Sequence, residues 1–253
     1  MKTPLQYLAS GIFNILFICW TAFMLVFLTF FTPLPVKSFR RIVAKWSNGI
    51  IFLLRIVDIK MVIRGQENLP DRPVLYATKH QSVWDTIFFL WFHSDNVYVM
   101  KSELLRIPFW GWYMRKCGHV VIDREGGAGA MRSMISLTQR YLEEGRSVVI
   151  FPEGTRVEAG KSRKYHPGVA ALYKQIGMPV IPVALNSGLF WPRREFLKKS
   201  GTVIIEFLPQ ITENLDRKTF MAELENSIET KTRKLEIEGG FVSVEGPPAT
   251  VGN

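Results

Sequence analysis

At 253 residues the chain has room for one good-sized globular domain and an appendage, and its formal net charge of +10 favours anionic partners. The two cysteines, one inside an apolar stretch and one far from it, exclude a disulfide scaffold and fit a reducing compartment. The histidines at 80, 93, 119 and 166 show no metal-ligand spacing with those cysteines, so no metal site is expected. The basic balance admits nucleic acid, but no nucleic-acid motif accompanies it, and the cations gather beside the apolar segment and around residues 156–164. No nucleic-acid partner is expected.

No charged residue occurs from Thr3 to Val36, and Leu5 to Phe31 is almost wholly apolar, longer than the roughly 20 residues that cross a hydrocarbon core. The stretch runs into Thr32, Pro33, Leu34 and Pro35 without a small-residue cleavage site, so it reads as a retained membrane helix. Beyond it, Lys37, Arg40, Arg41 and Lys45 alternate with Phe39, Ile42, Val43, Trp46, Ile50 and Ile51 at a rough helical period. That pattern predicts an interfacial amphipathic helix, with membrane lipid as its partner and the following domain on the cytoplasmic face of the inner membrane. Whether residues 5–31 span the bilayer or fold back as a re-entrant hairpin stays open. Residues 1–56 are thus expected to form a two-helix membrane anchor, 57–238 a globular domain, and 239–253 a flexible tail rich in Gly, Pro, Ser and Val.

Within the domain, Ile59–Arg64 and Val74–Thr78 read as strands, Trp84–His93 as a mostly buried helix, and Val97–Met100 as a third strand. Ser102 is expected to cap a short helix that Pro108 breaks. A strand at Val120–Ile122 precedes a helix over about Ala130–Glu144, closed by Gly145. Strand 147–151, helix 168–176, strand 179–185 and strand Val203–Leu208 continue the alternation, and Asp216–Glu238 reads as a charged surface helix. Pro182 points to an edge strand or a bulge. The alternation predicts an α/β fold, a mixed sheet flanked by helices.

The chemistry gathers at the strand ends. His80 and Asp85 follow the strand ending at Thr78, and five positions apart on one helix they would point about 140° away from each other. Ser82 resolves this, because Ser-x-x-Asp reads as a capping box: His80 precedes the helix while Asp85 lies in its first turn. The imidazole can then fold onto the carboxylate, leaving its other nitrogen free to take a proton from a hydroxyl. The alternative is a helix-terminal aspartate beside an ordinary histidine. Gly118–Arg124 reads GHVVIDR and Phe151–Arg156 reads FPEGTR, each placing an arginine just beyond a strand, and Val180–Leu185 reads VIPVAL.

In order and spacing, HQSVWD, GHVVIDR, FPEGTR and VIPVAL resemble the four sequence blocks of the glycerolipid acyltransferases, the 1-acylglycerol-3-phosphate (lysophosphatidic acid) acyltransferases in particular, over about residues 58–210. The resemblance implies transfer of a fatty acyl group from acyl-CoA or acyl carrier protein to the sn-2 hydroxyl of lysophosphatidic acid, giving phosphatidic acid, with no cofactor beyond that thioester co-substrate; the alternatives are another acceptor, such as a lyso-ornithine lipid or glycerol 3-phosphate, or a noncatalytic membrane lipid-binding protein. It implies His80 as base and Asp85 as its orienting partner. Glu153, Gly154, Thr155 and Arg156 would bind the glycerol phosphate together with Arg124, with Lys101 joining them on a looser match. Arginine suits that role because its planar fork grips phosphate bidentately. Direct attack by the acceptor hydroxyl is the simpler scheme, with an acyl-enzyme on Ser82 or a Cys117 nucleophile as alternatives. Two departures from the family pattern stand out: Lys79 where many members have asparagine, and His119 at a position often small or apolar.

Overall fold

The computed structural model describes residues 3–123, 126–177, 179–211 and 214–242. Helix α1, Pro4–Thr29, starts from a Thr3 capping box with proline in its first turn. It is long and apolar enough to cross a membrane, with a mean hydropathy of 2.3 over its best window, and only 17% of that window is buried within the protein. Helix α2, Val36–Leu53, has the expected apolar stripe, but its destination differs from the expectation. Phe39, Val43, Ala44 and Ile50 are buried against α1, α3 (Val83–Phe92) and α4 (Trp110–Cys117), so this face packs on protein. Trp20 Nε1 donates to the Trp46 carbonyl at 2.9 Å and Trp46 Nε1 to Thr21 Oγ1 at 3.1 Å, which ties α1 to α2. Lys37, Arg41 and Lys45 stay exposed on the opposite face.

The strands are β1 (Ile59–Arg64), β2 (Leu75–Thr78), β3 (Val97–Lys101), β4 (Val120–Ile122), β5 (Val148–Ile150), β6 (Val180–Leu185) and β7 (Gly201–Phe207). They form one mixed sheet in the order β1-β7-β6-β2-β5-β3-β4. β2 to β6 run parallel to their neighbours, while β7 meets β6 antiparallel and carries β1 parallel to itself. Side-chain alternation sorts the central strands into two cores. Tyr76, Val149, Ile181 and Val183 face α1 to α4, whereas Leu75, Ala77, Val148, Ile150 and Val180 face α5 (Gly127–Glu143), α6 (Gly168–Ile176) and α7 (Arg217–Glu238).

Three local expectations need correction, and one helix stands where none was expected. Ser102–Arg106 is a 3-10 helix with Lys101 in the cap position, and the Ser102 hydroxyl turns instead to Glu103 at 3.3 Å. Pro108 follows too soon for an α-helix to nucleate. Helix α4 lies in a segment that had no assignment. β6 is an interior strand despite Pro182, because Pro182 stands at the last rung of the ladder: its carbonyl still accepts the Leu208 N–H at 2.9 Å just past β7, and only the return bond is lost. α7 is more than a surface helix: Phe220, Leu224, Ile228, Thr232 and Leu235 are buried at helical spacing. Each large apolar side chain among them contributes about 1.5–3 kcal/mol.

Candidate active site

The parallel strands β6, β2, β5 and β3 end side by side, and the segments leaving their carboxyl ends carry Ser187, His80, residues 153–156 and Lys101. Crevices of this kind hold the ligands of open α/β sheets. Directly after β2, Ser82 adopts extended backbone and caps α3, its Oγ accepting from Trp84 N at 3.2 Å while Asp85 closes the box. Asp85 is fully buried, and its Oδ2 accepts from the backbone N–H groups of Gln81 at 2.7 Å and Ser82 at 2.9 Å. The same oxygen lies 2.9 Å from His80 Nδ1. Because the carboxylate only accepts, this contact fixes the tautomer with hydrogen on Nδ1 and leaves Nε2 as the basic nitrogen.

The ring stacks on Phe151 with 3.9 Å between centroids. Burial holds the His80 pKa below the ordinary histidine value; Asp85 opposes this, and the nearby charges of Arg156 and Arg193 add to the lowering. The imidazole is therefore neutral near pH 7, the state a general base requires. Ser187 completes the arrangement, its Oγ donating to Asp85 Oδ1 at 2.5 Å. Nothing in its sequence context singled it out, apart from its place just past VIPVAL.

His80 opens onto a cavity of about 730 Å³. Its lining combines Gly154, Thr155, Arg156, Lys101, Asp123 and Arg193 with apolar side chains that include Val83, Leu104, Ile107, Met114, Met131 and Met134. Gly154 has φ 66° in the turn after Pro152, and its N–H bonds the Phe151 carbonyl at 2.9 Å. Arg156 is half-buried, and burial lowers its pKa, with Arg193 the next contributor. Arg124 lies outside the described residues.

Glu153 is the member of FPEGTR that the structure places elsewhere. Its carboxylate is fully buried and off the cavity, Oε2 accepting the His80 backbone N–H at 3.0 Å and Oε1 lying 3.0 Å from Lys79 Nζ. Lys79, also fully buried, reaches Glu229 of α7 at 2.8 Å, and Tyr165 donates to that same carboxylate at 2.8 Å. Burial raises the Glu153 pKa to about 7 against the pull of Lys79. Glu153 therefore positions the histidine backbone, and the lysine that departs from the family pattern supplies its counter-charge. A second α7 carboxylate, Glu236, accepts from Gln81 Nε2 at 2.7 Å, so the helix holds the residues on either side of His80.

The alternative nucleophiles are poorly suited to attack. Ser82 Oγ donates to the Trp191 carbonyl at 2.7 Å. Burial pushes the Cys117 thiol up to about 12, away from thiolate chemistry. His119, driven down to about 3 by burial, accepts the Tyr98 N–H at 3.2 Å as a neutral structural ring.

Comparison with known proteins agrees with this arrangement. The sequence profile of the Acyltransferase family matches residues 60–186. A 1-acyl-sn-glycerol-3-phosphate acyltransferase of Pseudomonas aeruginosa is 35% identical over 213 residues, covering 83% of this chain and 83% of that protein. The enzyme of that name from Limnanthes douglasii is 25% identical over 218 residues, 80% of this chain and 76% of its own length. In fold, the chain resembles the crystal structure of the 1-acyl-sn-glycerophosphate acyltransferase PlsC from Thermotoga maritima, with a TM-score of 0.67 at 23% identity, covering 94% of this chain and 97% of that one. The chain belongs to the acyltransferase family.

Proposed function

We propose that the protein transfers a fatty acyl group from a thioester, acyl-CoA or acyl-acyl carrier protein, to the sn-2 hydroxyl of 1-acylglycerol 3-phosphate, giving phosphatidic acid. The observation that carries this reading is the His80–Asp85 pair at 2.9 Å, with His80 lining a cavity that combines arginines and apolar side chains. The acceptor oxygen attacks the thioester carbonyl carbon while its proton passes to His80 Nε2. Asp85 stabilises the resulting imidazolium. The tetrahedral intermediate then collapses, the C–S bond breaks, and the thiolate takes the proton back from the imidazolium. No covalent enzyme intermediate is needed.

Lys101, Gly154, Thr155 and Arg156 line the cavity, where they would meet the glycerol phosphate, while Glu153 acts through the His80 backbone. Arg124 is proposed for the same acceptor site on the strength of the family pattern. The names of the relatives favour lysophosphatidic acid, and the arginines favour a phosphorylated acceptor over a lyso-ornithine lipid. Membrane lipid is the third partner: α1 would hold the domain at the cytoplasmic face of the inner membrane, where both acceptor and product reside.

The test is the full chain reconstituted in vesicles, with labelled acyl-CoA or acyl carrier protein as donor and lysophosphatidic acid, glycerol 3-phosphate, lyso-ornithine lipid and monoacylglycerol as acceptors. Labelled phosphatidic acid as the dominant product is expected. Preferred acylation of any other acceptor would overturn the assignment.

A further inference from the structure

We propose that Arg193 is the second guanidinium of the acceptor site, closing on the phosphate together with Arg156 beside His80. This rests on the reading that the cavity takes a phosphate monoester. Arg193 lies beyond residue 186, where the family match ends, on the loop between β6 and β7.

That loop is fastened to the catalytic pair. Ser187 bonds Asp85 at 2.5 Å, and the Trp191 carbonyl accepts the Ser82 hydroxyl at 2.7 Å. The Trp191 ring meets Phe13 and Phe17 of α1 edge-on, with centroids 5.0 Å and 5.6 Å away. Arg193 is consequently held in place two residues beyond a fixed point. Its Nη1 donates to the Arg156 backbone carbonyl at 3.1 Å, which couples the loop to FPEGTR, and its side chain lines the cavity that His80 and Arg156 also line.

The two side chains have donors to spare. Arg193 Nε is buried with no protein acceptor. Among the described residues neither guanidinium forms an ion pair, and Arg156 donates no side-chain hydrogen bond to protein. Two cations drawn together with neither in an ion pair repel, and an unsatisfied buried N–H is costly. A dianionic oxyanion with several acceptor oxygens answers both defects, since each guanidinium offers a planar fork to it. The match in charge, two positive groups to a phosphate monoester near −2, is the chemical reason for choosing this ligand. The phosphates of a coenzyme A donor share that chemistry, so acceptor and donor kinetics must be measured separately.

The experiment compares wild type, Arg193→Ala, Arg193→Lys and Arg156→Ala in vesicles, using lysophosphatidic acid, monoacylglycerol and two donors, acyl-CoA and a short-chain acyl thioester without phosphate. Arg193→Ala is expected to raise the KM for lysophosphatidic acid about tenfold or more, the loss of a charge-assisted contact. It should reduce kcat/KM for monoacylglycerol far less, leave the KM for acyl-CoA near wild type, and be partly restored by Arg193→Lys. An equal loss with both acceptors would make Arg193 a structural clasp, and a rise confined to the acyl-CoA KM would make it a donor ligand; either result overturns the proposal. If Arg156→Ala loses the preference for the phosphorylated acceptor while both Arg193 variants keep it, only the role of Arg193 falls. If Arg156→Ala also keeps it, the phosphate site itself is misplaced. A melting temperature close to wild type for Arg193→Lys confirms that the kinetic changes come from a folded enzyme.

Discussion

Lys79→Met removes the cation from a network in which Lys79 and Glu153 are fully buried and Glu229 is partly exposed. Breaking a buried pair by deleting one partner costs about 3–5 kcal/mol, because the remaining charge is left in a poor solvent. For a chain of this size each kcal/mol moves the midpoint by roughly 2–4 °C, so the melting temperature should fall by about 6–20 °C. The loss should depend on pH. The Glu153 carboxyl is pushed up to about 7 by burial even with Lys79 beside it, and without that cation it rises further. A carboxyl whose folded pKa is raised stabilises the fold at low pH and loses that contribution as pH rises through the folded value. The destabilisation should therefore be largest near pH 8.5 and smaller near pH 6, where Glu153 binds a proton. Tryptophan fluorescence melts in detergent at both pH values measure it, and adding Glu153→Gln should recover part of the loss. A shift under about 3 °C at pH 8.5, or an equal shift at both pH values, would refute the reasoning.

Asp85→Asn should lower kcat by about 100- to 10,000-fold, since an amide at that position no longer fixes the tautomer or stabilises the imidazolium. Ser187→Ala should lower kcat by roughly tenfold by freeing one Asp85 oxygen, with Ser187→Thr restoring most of it; unchanged kcat in the alanine variant would remove Ser187 from the assembly. The pH profile of kcat/KM should fall on acidification through a pKa below the ordinary histidine value, because burial and the two arginines disfavour protonated His80. Arg156→Gln should move that limb to higher pH, and a limb that stays in place would separate Arg156 from the base.

The His80–Asp85 contact was legible because HQSVWD is contiguous: a capping box dictates where the helix starts, and that start folds His80 onto Asp85. FPEGTR was legible as a cavity segment, but the direction of Glu153 was not, since it depends on Lys79 and on an α7 carboxylate far along the chain. Likewise α7 read as surface because its charges hid the fact that Glu229 and Glu236 project toward the site. Ser187 gave no local signal, being brought to Asp85 only by the adjacency of β6 and β2. The amphipathic pattern of α2 predicted its helix correctly but not its partner, because an apolar stripe suits protein and lipid equally. Pro182 misled because an interior strand tolerates a proline at the last rung of its ladder, where a single return hydrogen bond is lost.

The most direct test of the central claim is acyl transfer to lysophosphatidic acid by His80→Ala, reconstituted in vesicles and checked for folding by its melting temperature. The account predicts a folded, vesicle-bound protein whose kcat falls by about 100- to 10,000-fold, the contribution of a positioned base. Activity above roughly a tenth of wild type would contradict it, since a base contributing so little would not be carrying the proton transfer.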